Sequence, residues 1–258
     1  MKSIVFVKQV PDSTADIKVE DGKVSWGDAP LVINPWDEIA VEAALLQKEE
    51  FGGDVIAISM GKEDETEALK HALAMGCDEV VLISDPALAG IDSLGVSRVL
   101  AAAVKKSGEA NLVFFGRQSI DSETGVTAAQ TARVLGRPVL SSVSTIQSLD
   151  ENAGSVKVER STEEGRQVVE AQLPVVMTCG RDFTEPRFPS FIRKRKAAKA
   201  VIPVWGLQDL GAEASSPVVA WSGVEAVQAA DIQVEMIAGS PQEIAEKLAG
   251  KIMEAGVL

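Results

Sequence analysis

Short aliphatic and β-branched runs alternate with longer helix-periodic segments through the first two thirds of the chain. Ile4–Val7, Val55–Ser59, Val80–Ile83 and Leu112–Phe115 are the apolar runs, and helical patterns cover residues 64–75, 92–107 and 124–135. Strands buried on both faces read as continuous apolar runs, and parallel neighbours need a crossover helix between them. The alternation therefore predicts an α/β fold with a doubly wound, mostly parallel, Rossmann-like sheet. In Asn34-Pro35-Trp36-Asp37, Asn stands at an N-cap, Pro at the first helical position and an acid in the first turn. Ile39, Ala43 and Leu46 then fall on one face, and Gly52-Gly53 ends the helix.

After Pro138 the pattern changes to strand-like runs, Val139–Ile146, Ser155–Arg160 and Arg166–Gln172, with Glu163-Glu164-Gly165 as a hairpin turn. Val175–Thr178 returns to the core. Residues 181–200 carry prolines and the bases Arg187, Arg193, Lys194, Arg195, Lys196 and Lys199, which predicts an exposed excursion. Beyond it, Pro203, Gly206, Gly211 and Ser215-Ser216-Pro217 interrupt any pattern until Ser240-Pro241-Gln242-Glu243. That capping box opens a helix with Ile244, Leu248 and Ile252 in a stripe. The expected division is a core over residues 1–200 and a C-terminal arm over 201–258.

The 258 residues are 46% hydrophobic, which is enough for a sizeable core. Lys+Arg number 25 against 38 Asp+Glu, a net charge of −13, so nucleic acid is not an expected partner. No apolar run approaches the roughly 20 residues of a membrane span, and Met1–Val7 lacks the apolar stretch of a secretory leader. A soluble, cytoplasmic chain, not embedded in a membrane, is expected. Cys77 and Cys179 form no Cys-x-x-Cys and read as buried thiols. With His71 the only histidine, no tyrosine and no Gly-x-Ser-x-Gly elbow, neither catalytic residues nor a metal site are expected.

No glycine-rich dinucleotide fingerprint succeeds a strand, and no P-loop is present. The fourth apolar run leads instead into Gly116-Arg117-Gln118-Ser119-Ile120-Asp121-Ser122-Glu123-Thr124-Gly125-Val126-Thr127, a hydroxyl-rich path to a helix start. Such a start offers free N–H groups and a positive dipole end to a phosphate, although Ser122 or Thr124 could equally cap the helix and do nothing more. Phe6–Val10, Ile58–Gly61, Asn34 and Gly116 should gather at the carboxyl ends of the strands, where open α/β sheets bind nucleotides. Trp36, Met60 and His71 also have ordinary packing readings, and the bases of 187–199 suit either a solvated face or a docking site.

The stretch Val158-Glu159-Arg160-Ser161-Thr162-Glu163-Glu164-Gly165-Arg166-Gln167-Val168-Val169-Glu170-Ala171-Gln172-Leu173-Pro174-Val175-Val176-Met177-Thr178 resembles the hairpin signature of the electron transfer flavoprotein β subunits. Val7-Lys8-Gln9-Val10-Pro11, Asn34 to Ala40, Ala72 to Gly76 and Glu185-Pro186-Arg187-Phe188 agree with the same family in order. The resemblance implies a heterodimer with an α subunit that carries a redox-active FAD. It would accept electrons from flavin-dependent acyl-CoA dehydrogenases and pass them to a membrane quinone oxidoreductase.

In similar proteins the β crevice holds AMP. By position Phe6, Asn34, Pro35, Trp36, Asp37, Met60 and Gly116 to Thr127 are the implied nucleotide contacts. Phe191 falls where relatives place an anchoring leucine, Lys196 and Lys199 match a basic tail, and Arg193-Lys194-Arg195 replaces a more apolar segment. Bifurcating relatives hold a second FAD in the same crevice; this chain shares Thr124 with their loop and Thr127 with the AMP type. The alternatives are therefore a bifurcating β subunit and, further off, a stand-alone adenine-nucleotide-binding protein.

Overall fold

A computed structural model describes residues 1–20, 22–108, 110–220, 223–225 and 234–256. Residues Met1–Gly223 form one compact unit and Val224–Leu258 a second. The strands are β1 (Lys2–Phe6), β2 (Gln9–Pro11), β3 (Lys18–Glu20), β4 (Lys23–Ser25), β5 (Leu31–Ile33), β6 (Asp54–Met60), β7 (Glu79–Ile83), β8 (Leu112–Gly116), β9 (Val139–Asp150), β10 (Ser155–Thr162), β11 (Gly165–Gln172), β12 (Val175–Cys179) and β13 (Val204–Trp205). The α-helices are α1 (Pro35–Phe51), α2 (Glu67–Met75), α3 (Ser93–Lys106), α4 (Thr127–Leu135), α5 (Phe191–Ala197), α6 (Leu207–Leu210) and α7 (Pro241–Glu254).

Nine strands make one sheet in the order β11-β10-β9-β12-β8-β1-β6-β7-β13. From β9 to β13 every pairing is parallel, and the hairpin β10–β11 extends the sheet antiparallel. The expected doubly wound α/β fold is therefore present. Successive side chains of a strand point to opposite faces. Val5 and Val7 thus pack with Ala40, Ala44 and Leu69 of α1 and α2, while Ile4 and Phe6 pack with Val99, Val104 and Ala132 of α3 and α4.

Residues 9–33 hold two small antiparallel pairs, β2–β5 and β3–β4, which no periodicity announced. The first residues of the expected arm lie on the sheet: β13 pairs with β7, and Leu207 and Leu210 are buried against α3. Three-residue elements are too short to show a period, which is why the sequence reads as broken there. In the second unit Ser240 and Glu243 form the expected capping box of α7, and no residue of that helix is buried. Residues 221–222, 226–233 and 257–258 of the expected arm lie outside the described residues. Among the described residues no helix is long and apolar enough to cross a membrane, and no three His, Cys, Asp or Glu side chains gather as metal ligands.

Candidate functional site

The strand order reverses between β1 and β8. Chain leaving β1 builds one face of the sheet and chain leaving β8 the other, so their carboxyl ends part into a crevice. A cavity of about 620 Å³ opens there, within the usual size of a small-molecule site. The rings of Phe6, the last residue of β1, and Phe115, one residue before the end of β8, stack with centroids 4.8 Å apart. Ile58 and Met60 of β6 and Val96 and Leu100 of α3 extend this apolar wall, while the path from Gly116 to Ala128 supplies the polar one.

Asp37 joins the elements around the crevice. Its Oδ2 accepts from the Lys8 N–H at 2.8 Å and its Oδ1 from the Gly116 N–H at 3.2 Å. Burial pushes the carboxyl up to about 7; the Lys8 N–H, the Asn34 side chain, the Gly116 N–H and the Lys8 charge pull the other way. Gly116 leaves no room for a side chain, because a Cβ there would lie 2.6 Å from the Trp36 carbonyl carbon and against Asp37 Oδ1.

Asn34 stands at the N-cap of α1 as expected, but its side chain does not cap the helix. It reaches across instead: Nδ2 donates to the Gln118 carbonyl at 2.8 Å, and Oδ1 accepts from the Ile120 N–H at 3.2 Å. Lys8 Nζ adds an ion pair to Asp121 at 2.6 Å, and Ser119 Oγ meets Ser122 Oγ at 2.9 Å. Glu123 (φ 50°) and Gly125 (φ 61°) take left-handed conformations that turn the loop. The periodicity placed the helix start at 124, but α4 begins at Thr127 after Val126, which has no side-chain acceptor. Ser122 and Thr124 therefore do not cap α4; together with Thr127 they line the cavity.

Of the residues singled out from sequence, Phe6, Asn34, Asp37, Met60, Gly116, Arg117, Gln118, Ser119, Ser122, Thr124, Gly125 and Thr127 line one cavity. Pro35, Trp36, Ile120, Asp121, Glu123 and Val126 do not line it. Trp36 instead lies 6.0 Å below the Arg117 guanidinium, and Asp121 is occupied by Lys8. Sequence reasoning passed over Asp92, whose Oδ1 caps α3 by accepting from Gly95 N–H at 2.9 Å. Its Oδ2 accepts from the N–H groups of Val218 and Val219, at 2.7 and 3.2 Å, and holds Pro217–Ala220 against the cavity. An Asp opening the amphipathic 92–107 stretch was the available signal.

The basic excursion folds into α5, with Ser190 Oγ accepting from the Arg193 N–H. Phe188 is 96% exposed, Phe191 80% and Ile192 80%. Phe191, Ile192, Arg195, Lys196 and Lys199 line a second depression. Arg193 is partly withdrawn, its Nη1 donating to the Met75 carbonyl at 2.9 Å.

Residues 26–210 match the family model described as "Electron transfer flavoprotein domain". The chain belongs to the electron transfer flavoprotein family. It is 35% identical to the electron transfer flavoprotein subunit beta of Clostridium acetobutylicum, over 81% of this chain and 80% of the relative. Similarity extends to the caffeyl-CoA reductase-Etf complex subunit CarD of Acetobacterium woodii, at 38% identity over 82% of this chain and 80% of the relative. Protein FixA of Bradyrhizobium diazoefficiens is 36% identical over 83% of this chain and 76% of its own length. As an electron transfer flavoprotein subunit of the β type, the chain takes part in electron transfer. The family match includes α1, the loop after β8, the hairpin β10–β11 and the basic segment, and stops where α6 ends.

Proposed function

We propose that this chain pairs with an α subunit carrying a redox-active FAD and holds AMP in its own crevice. The observation that supports this reading is the start of α4. An N-terminus free of a side-chain cap, beside the hydroxyls of Ser122, Thr124 and Thr127, suits one phosphate, and the Phe6–Phe115 wall suits an aromatic base. When bound, the nucleotide contributes binding energy to the folded state and no electrons. The chain's own residues hold the phosphate and brace the loop, through Asn34 and through the Lys8–Asp121 pair. Replacing Thr127 by Val should weaken AMP about tenfold, one charge-assisted hydrogen bond, as read by calorimetry on the nucleotide-stripped heterodimer.

Electrons come from a flavin-dependent acyl-CoA dehydrogenase and leave towards a membrane quinone oxidoreductase, passing through the FAD of α. A relative named as part of a caffeyl-CoA reductase complex supports a partner that works on CoA thioesters. Phe188, Phe191 and Ile192 form the docking knob, and Arg195, Lys196 and Lys199 steer it to an acidic surface. Residues beyond the family match serve as the arm that holds α. Phe191→Ala should lower kcat/KM for heterodimer reduction by about thirtyfold, with FAD and AMP content unchanged. Equal rates for variant and wild type would remove Phe191 from the interface.

One observation favours a second reading. The apolar lining of the cavity runs on to Val96, Leu100 and Val219, an extent that suits a second FAD in a bifurcating subunit that oxidises NADH.

A further inference from the structure

Arg187 immediately precedes the exposed Phe188 and opens the segment that carries Phe191. Its Nε donates to both oxygens of Glu42, at 3.0 and 2.8 Å, and its Nη2 to Glu42 Oε1 at 2.8 Å. Nη1 donates to Glu49 Oε1 at 2.5 Å, and the backbone N–H of Arg187 itself donates to Glu42 Oε2 at 3.1 Å. Glu42 is buried on α1, and Glu49 lies about two turns further along the same helix. Because guanidinium donors lie in one plane, such a fork fixes direction as well as distance, which a lysine ammonium cannot do.

Beyond the fork, Phe188, Phe191 and Ile192 present apolar side chains to solvent. A mobile segment would have to be ordered on docking, at a cost in side-chain entropy that a segment held in advance avoids. The helix that carries the fork is well anchored: its first turn holds Asp37 against Lys8 and Gly116, and its inner face is packed into the core. Among the described residues one further side-chain hydrogen bond runs from the segment to the body, Arg193 to the Met75 carbonyl, while Pro189 and Ala197 are buried and α5 packs on α2; Arg187 is the tie that stands directly before Phe188.

We propose that Arg187 is a positioning residue for docking: clasped by Glu42 and Glu49, it fixes Phe188 and Phe191 in their presented geometry before the partner arrives. This rests on the docking reading above, and the test separates the two. Heterodimers carrying Arg187→Ala, Arg187→Lys or Phe191→Ala are compared by hydrogen exchange over residues 188–199, and by the KM for heterodimer as acceptor of a purified flavin-dependent acyl-CoA dehydrogenase.

Arg187→Ala should speed exchange in the segment about tenfold and raise KM about fivefold, with kcat little changed. Arg187→Lys should recover part of both effects, and the KM effects of Arg187→Ala and Phe191→Ala should combine less than additively because both act on one anchor. If Phe191→Ala raises KM while Arg187→Ala leaves exchange and KM at wild-type values, the positioning role is wrong and docking stands. If Arg187→Ala loosens the segment and neither variant moves KM, docking is wrong and the positioning role falls with it. Should Arg187→Ala not fold, Glu49→Ala removes only the exposed arm of the fork and should give the same changes at smaller size; wild-type exchange and KM in that variant overturn the proposal.

Discussion

The contribution of the single Asp37 carboxyl to the stability of the folded chain should fall by on the order of 4 kcal/mol as pH rises from about 4 to about 7. In the unfolded chain that carboxyl loses its proton near its ordinary value of 3.8, while in the fold burial holds the proton to about 7. Between those values the unfolded state binds fewer protons. The contribution of Asp37 is thus complete below the unfolded pKa and is lost as pH rises through the folded one. Asp37→Asn keeps the shape and removes the titration. Urea unfolding at pH 5 and pH 8 should show the stability of the variant rising relative to wild type by about 3 kcal/mol over that interval. A difference that stays constant between the two pH values would mean that Asp37 ionises as an ordinary carboxyl.

Gly116→Ala should cost about 3 kcal/mol of stability and, on the proposed AMP reading, abolish nucleotide binding in the crevice. The added methyl would meet the Trp36 carbonyl carbon at 2.6 Å and the Asp37 nitrogen at 2.8 Å, both backbone atoms that no rotamer change can move. Relief requires β8 and the start of α1 to separate, which breaks the Gly116–Asp37 bond and displaces the loop that Asn34 holds. Thermal unfolding of the heterodimer, with quantification of the nucleotide it carries, checks both effects. An alanine variant with wild-type stability and full nucleotide would show that the strand end has slack that the packing denies.

The parallel sheet was legible because every central strand is an apolar run and every crossover helix is periodic. The hairpin β10–β11 was legible from Glu163-Glu164-Gly165 between two strand-like runs. The strands β2 to β5 and β13 were not, since two or three residues carry no period and their pairing is set by tertiary contact. At the site, the strand-end rule gathers Phe6–Val10, Ile58–Gly61, Asn34 and Gly116, and Phe6, Val7, Lys8, Asn34, Ile58, Met60 and Gly116 of these line one cavity. It could not tell that Asn34 would spend its side chain on Gln118 and Ile120 in place of a cap, because both uses need the same amide. Nor could spacing bring Asp92 to Val218, 126 residues away. The docking bases were visible as a cluster in an acidic chain, but not that Arg187 and Arg193 are bonded to the body and leave Arg195, Lys196 and Lys199 to face outward.

The AMP site proposed for the crevice between β1 and β8 determines what the purified heterodimer releases. Denaturing it and separating the nucleotides by chromatography should yield one AMP and one FAD per heterodimer. Two FAD and no AMP, with NADH oxidation that splits electrons between two acceptors, would contradict it in favour of a second flavin.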